Sequence, residues 1–169
     1  MTVVHTSTLS RKLEKLIDFR VGEGASHRHP IVLEGNNFCP ATDGTRVFLP
    51  RRENQFVSER DNELSIANST AHEADHIREI NEYFGAEVEQ LREQETNLVQ
   101  EFHQRNYAEL TENPALAGWI DNIVEDRRID AQRREQLPGT KKHYEEVLVP
   151  AAEYLRQSIK GMSQLDSFR

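Results

Sequence analysis

The stretch Ala71-His72-Glu73-Ala74-Asp75-His76-Ile77 places an H-E-x-x-H motif near the middle of a chain of 169 residues. Residues four positions apart lie one turn above each other on a helix, so His72 and His76 can reach one ion. Glu73 is rotated by about 100° from His72, which suits it to hold a water on that ion rather than to bind the ion itself. The motif therefore predicts a helix that carries a zinc site of metallopeptidase type, with Glu73 as general base.

The residues on either side of the motif also predict a helix, from Asp61 to Phe84, which Gly85 would end. Its apolar residues fall on one side, and Glu73 projects onto that side. A carboxylate in apolar surroundings is costly unless it has a task, so its placement favours a functional Glu73. Asp75 projects away from the two histidines and is predicted to lie on the surface.

A second acidic helix is predicted from Ala115 to about Gln136, where it can supply the third ligand that a catalytic zinc needs. Its apolar face consists of Leu116, Trp119, Ile120, Ile123 and Val124. Asp126 and Asp130 flank that face one turn apart, which favours Asp126 as the ligand. The usual combination of two histidines with a glutamate favours Glu125 instead, and both alternatives remain open. Asp130 can then orient a ligand histidine through its other ring nitrogen.

The rest of the chain predicts further helices and a small sheet, which gives a mainly α fold with a small β-sheet or hairpin (α+β). We expect one domain over residues 1–169, made of an N-terminal helix (1–24), a small sheet (27–57), metal-site helices (58–136) and C-terminal helices (140–161). Asp43-Gly44 predicts a turn in an antiparallel sheet, and the strand ending at Leu49 is expected to offer an edge to an extended peptide. A single long helix is predicted over 86–110.

The composition excludes several classes of function. A formal net charge of -8 and a pI of about 5.4 argue against nucleic acid or an anionic membrane as partner. The single cysteine, Cys39, leaves no internal disulfide and no cysteine-based zinc knuckle, and it is predicted to be a small buried side chain. With no secretory signal and no apolar run of membrane-spanning length, we expect a cytoplasmic protein.

Three stretches, taken in order, resemble the N-terminal region of NorD-type nitric oxide reductase activation proteins and their CoxE-like von Willebrand A relatives. They are 42–50 (TDGTRVFLP), 71–76 (AHEADH) and 122–130 (NIVEDRRID), with Leu137-Pro138-Gly139 after the third. The likeness covers roughly Thr42 to Pro150. It implies a mostly helical, zincin-like domain whose relatives work with MoxR-type AAA+ ATPases in maturing metalloenzymes. The spacing of the acidic motif is similar to that of metallopeptidase domains beside other von Willebrand A modules, which points to Asp126.

The sequence departs from these relatives in two ways. Many of them have a degraded histidine motif, whereas here it is intact, which keeps peptidase chemistry open. They also continue into a von Willebrand A domain, whereas this sequence stops at Arg169.

Two functional hypotheses follow. The first is a Zn²⁺-dependent peptidase that acts on a peptide or protein substrate. The alternative is a non-catalytic zinc-binding or helical module that assists metalloenzyme maturation with an AAA+ ATPase or a von Willebrand A protein. A closed site with four protein ligands would favour the second, and His103 is the candidate for the extra ligand.

Overall fold

The computed structural model describes residues 2–36, 39–107 and 111–136, together with Lys141 and Glu145. These residues are mainly helical with a small sheet, which confirms the predicted α+β class. The chain divides into two compact units, Met1–Asp130 and Ala131–Arg169, and the site described below lies in the first. The helices expected over 140–161 fall almost entirely outside the described residues.

Six α-helices and five short strands make up the described residues. The helices are α1 (Ser10–Val21), α2 (Ala25–Arg28), α3 (Glu59–Phe84), α4 (Val88–Glu93), α5 (Leu98–Tyr107) and α6 (Pro114–Gln136), with 3-10 turns at Thr6–Leu9 and Gly85–Glu87. The strands are β1 (Val4–His5), β2 (Ile31–Glu34), β3 (Ala41–Thr42), β4 (Val47–Pro50) and β5 (Arg52–Glu53).

Helix α3 carries the H-E-x-x-H motif, as predicted, and local signals define both of its ends. The Ser58 side chain accepts a hydrogen bond from the Asp61 amide at 3.0 Å, which satisfies one of the free amides of the first turn. Gly85 follows the last residue with a positive φ of 54°, a conformation that glycine adopts most readily. The result is a 26-residue helix against which α1, α5 and strands β1, β3, β4 and β5 pack.

The three-stranded sheet is mixed rather than antiparallel. Its strand order is β2-β4-β3, with β4 parallel to β2 and antiparallel to β3. The expectation that the strand ending at Leu49 offers an edge to a peptide is therefore wrong, because β4 is the central strand. Val47 and Leu49 are fully buried, which suits a strand paired on both sides.

The helix predicted over 86–110 is interrupted between α4 and α5. Glu95 has a φ of 54°, and the Thr96 amide donates to the Leu91 carbonyl at 3.1 Å, which closes α4. The Asn97 side chain then accepts from the Gln100 amide at 3.1 Å and caps α5. Competition from such side-chain hydrogen bonds explains why the helical pattern breaks at this point.

The core consists of two hydrophobic clusters that meet on α3. The first joins α1, β1, β4 and α3, and is centred on Leu13, Ile17, Val47, Leu49, Ile66 and Ile77. The second joins α3, α4 and α5 through Ile80, Phe84, Val88, Leu91 and Leu98. No described residue of α6 belongs to either cluster, although Ile129 of this helix is buried.

Two observations concern the protein surface. Cys39 is exposed, which overturns the expectation of a buried apolar side chain. In the described part of the chain, no helix combines the length and the apolar character needed to span a bilayer.

Candidate metal centre

Helices α3 and α6 bring two imidazoles and one carboxylate together. Oδ1 of Asp126 lies 3.0 Å from Nε2 of His76 and 3.1 Å from Nε2 of His72, and the two Nε2 atoms are 3.2 Å apart. Among the described residues this is the group that can hold a metal ion. Its three separations are close to the edge of about 3.3 Å expected for a tetrahedron with zinc–ligand bonds of about 2 Å. The donor atoms therefore fit one zinc ion with little movement.

A second carboxylate reaches the same histidine from the other side. Oδ1 of Asp130 lies 3.2 Å from Nδ1 of His72, one turn of α6 beyond Asp126. This is the position from which a carboxylate fixes the tautomer and ring orientation of a ligand histidine. The arrangement is the one expected for Asp130, whose role stays a prediction.

The two carboxylates strongly perturb the titration of the site. Burial disfavours the charged form of His72, but hydrogen bonds to Asp126 and Asp130 and the negative charge of Glu73 outweigh it and raise the pKa of His72 to about 9. Burial also disfavours charge on Asp126, yet its contacts with His72 and His76 outweigh this and hold its pKa far below the ordinary value. Nε2 and Nδ1 of His72 each face a carboxylate oxygen, so the doubly protonated ring can donate to both Asp126 and Asp130.

The alternative ligands lie outside this group. Glu125 accepts a hydrogen bond from Nε of Arg128 at 2.7 Å, and Arg128 also bonds to Glu79 on α3. His103, on α5, packs so closely on α6 that a Cβ at Gly118 would lie 2.9 Å from its Nδ1. Asp126 is therefore the carboxylate that approaches the two histidines, and the described group has three members rather than four.

The two acidic residues inside the motif are both buried. Glu73 is 7% exposed, as its projection onto the apolar side of α3 predicted. Asp75 was expected on the surface, and that expectation is wrong, because its side chain is 1% exposed. It accepts a hydrogen bond from Nε of Arg20 at 2.7 Å and lies 3.3 Å from a guanidinium nitrogen of Arg78.

A signal for this ion pair was present in the sequence. Arg20 follows Leu9, Leu13 and Ile17 at helical spacing, so it continues the buried stripe of α1. An arginine on a buried stripe requires a buried anion, and Asp75 provides it.

The rotation of α6 differs from the one expected. The residues read as its buried face, Leu116, Trp119, Ile120, Ile123 and Val124, are all exposed. Ile129 is buried instead, at 1% exposure, and helical spacing rotates it by about 60° from Asp126, away from these exposed residues. Polar contacts with α3 thus set the rotation of α6 and leave its apolar residues facing outwards.

Comparisons with models of protein families, with curated proteins and with solved structures find no match for this chain. The resemblance to NorD-type proteins therefore stays a prediction from the quoted motifs, and the functional argument depends on the geometry of the site.

Proposed function

We propose that this chain is a zinc-dependent, metallopeptidase-like domain in which His72, His76 and Asp126 bind the ion and Glu73 acts as general base. The observation that carries the proposal is the convergence of three ligand atoms, within 3.0–3.2 Å of one another, from two helices fifty residues apart in sequence. Three protein ligands leave a fourth position for water, as in catalytic zinc sites. A peptide or protein is the proposed substrate, and the cytoplasm is the proposed compartment.

Each residue of the site has its own role in the proposed reaction. His72, His76 and Asp126 would hold zinc, which would supply a positive charge to polarise the substrate carbonyl and to lower the pKa of a water to about 7. Glu73 accepts the proton of the water that adds to the carbonyl carbon and delivers it to the peptide nitrogen as the carbon–nitrogen bond breaks. Asp130 holds the ring of His72 in place through Nδ1, and binding of the ion displaces the proton of His72.

A non-catalytic role is the second candidate, and one observation favours it. No described residue of α6 belongs to either hydrophobic cluster, and an ion shared by His72, His76 and Asp126 would attach this helix to α3. Metal binding of this kind contributes directly to folding. Such a module would assist the maturation of a metalloenzyme, in partnership with a MoxR-type AAA+ ATPase or a von Willebrand A protein.

Zinc content and peptide hydrolysis together test both candidates. Protein purified without added metal, then dialysed against zinc, should bind one ion, and His72→Ala and Asp126→Asn should lose it. The matched controls His27→Ala and Glu125→Gln change an exposed histidine and the neighbouring carboxylate of α6, and both should bind zinc normally.

Glu73→Gln then separates catalysis from binding. It should retain zinc and lose hydrolysis of an unfolded protein substrate such as casein. Bound zinc with equal activity in Glu73→Gln would remove Glu73 from the mechanism, and bound zinc without any activity would favour the non-catalytic module. If wild-type protein takes up no zinc, the peptidase and the zinc-binding module both fail.

A further inference from the structure

Helix α6 presents an exposed apolar strip beside the candidate metal centre. Among the described residues, five of the nine exposed large hydrophobic side chains belong to this one helix: Leu116, Trp119, Ile120, Ile123 and Val124. Together they expose an area on the order of several hundred Å², a size at which an apolar patch is often functional. The other four, Val3, Phe19, Val57 and Tyr83, are spread over separate parts of the chain.

The strip lies next to Asp126, the carboxylate of the candidate metal centre. Ile123 and Trp119 precede Asp126 by three and seven residues, which places them about 4.5 and 10 Å before it along the helix axis. They are also rotated from it by only about 60° and 20°. On the far side of Asp126 the same flank continues with the polar residues Arg127 and Asp130. Among the described residues of α6, the exposed large apolar side chains thus lie before Asp126 in the chain and not after it.

We propose that this apolar strip binds the substrate of the metal centre, and that the substrate is an extended peptide with a bulky apolar side chain on one side of the reacting bond. The inference rests on the proposed function. If the reacting peptide bond lies at the metal centre of His72, His76 and Asp126, the neighbouring residues of the peptide lie over Ile123 and Trp119. We assign the strip to the peptide substrate because its apolar residues adjoin Asp126 along α6. A peptide that crosses the centre meets apolar surface in one direction along α6 and charged residues in the other.

The expected preference follows from the area that such a side chain buries. Removing a phenylalanine or leucine side chain from water on one face favours binding by about 10- to 100-fold over serine at the same place. Trp119 is the only tryptophan of the chain and is 65% exposed, so its fluorescence reports directly on the strip. Burial against a peptide should move its emission to shorter wavelength.

The test uses the zinc-loaded Glu73→Gln protein, in which the peptide is not consumed. It is titrated with a capped pentapeptide of alanines that has phenylalanine at its centre and with the same peptide carrying serine there. The phenylalanine peptide should bind at least 10-fold more tightly and shift the Trp119 emission, and Ile123→Ser should remove most of that preference. Val57→Ser is the matched control, because Val57 is 83% exposed but lies before the start of α3, about 20 Å along that helix from His72.

Each other outcome has a defined meaning. Equal affinity for both peptides, or a preference that survives Ile123→Ser, would overturn the inference. So would a Trp119 already shielded from acrylamide in the free protein, or a concentration-dependent dimer that Ile123→Ser dissociates, because the strip would then be covered by something else. Zinc content is measured on the same samples. Bound zinc without a peptide preference overturns this inference alone, whereas a peptide preference in protein that binds no zinc overturns the proposed function.

Discussion

Loss of the buried ion pair between Arg20 and Asp75 should destabilise this protein more than loss of any exposed ion pair. Nε of Arg20 donates to Oδ1 of Asp75 at 2.7 Å, and the two side chains are 5% and 1% exposed. Asp75→Asn keeps the size of the side chain and removes its charge. The guanidinium of Arg20 would then remain buried without an anion, and Arg78 would lose its contact with the same carboxylate.

The expected loss is about 3–5 kcal/mol, the usual cost of breaking a buried ion pair by removing one partner. For a chain of this length, that corresponds to a melting temperature lower by roughly 6–20 °C. The double variant Arg20→Met/Asp75→Leu removes both charges and fills the space with apolar atoms. It should recover most of the loss, because neither desolvated charge remains.

Urea and thermal unfolding of the metal-free protein, followed by far-UV circular dichroism, measure these differences without a contribution from zinc. Glu63→Gln is the matched control, because Lys12 and Glu63 also join α1 to α3, but at 3.7 Å and with side chains 75% and 39% exposed. It should change the free energy of unfolding by less than about 1 kcal/mol. If Asp75→Asn is no more destabilising than Glu63→Gln, the expectation that the buried ion pair contributes more to stability than an exposed one is refuted.

Three further predictions concern pH dependence and close packing. Burial lowers the pKa of His29, although its hydrogen bond to the Thr45 carbonyl opposes the shift. The free energy of unfolding should therefore fall as the pH drops below about 6.5, by up to about 1.4 kcal/mol per pH unit. Urea unfolding of His29→Gln should show a weaker dependence of stability on pH. The raised pKa of His72 acts in the opposite sense in metal-free protein. Its contribution of about 3 kcal/mol to the free energy of unfolding is complete below pH 6.5 and is lost as the pH rises through about 9. Asp130→Asn should reduce this contribution, and an unchanged pH profile of stability in that variant would contradict the role of Asp130 in raising the pKa. Gly44→Ala should lower the free energy of unfolding by about 2–4 kcal/mol, because φ is +84° there and the added Cβ would lie 2.6 Å from Cβ of Leu98. Thermal unfolding measures the change, and a loss below about 1 kcal/mol would show that the turn between β3 and β4 can move away from α5 at little cost.

The sequence determined the features that depend on neighbouring residues. The helix of the H-E-x-x-H motif and its end at Gly85 both follow from periodicity and capping. The pairing of Asp126 and Asp130 on one side of α6 also follows from helical spacing alone. These features are local, so the residues that cause them are close together in the sequence.

Tertiary structure decided which faces of the elements meet. It brought Asp126 rather than Glu125 close to the two histidines, buried Asp75 against Arg20, and turned the apolar residues of α6 outwards. Periodicity fixes how residues are arranged around one helix, but it does not fix the rotation of that helix against its neighbours. Contacts between α3 and α6, fifty residues apart, set that rotation, and no local pattern contains them.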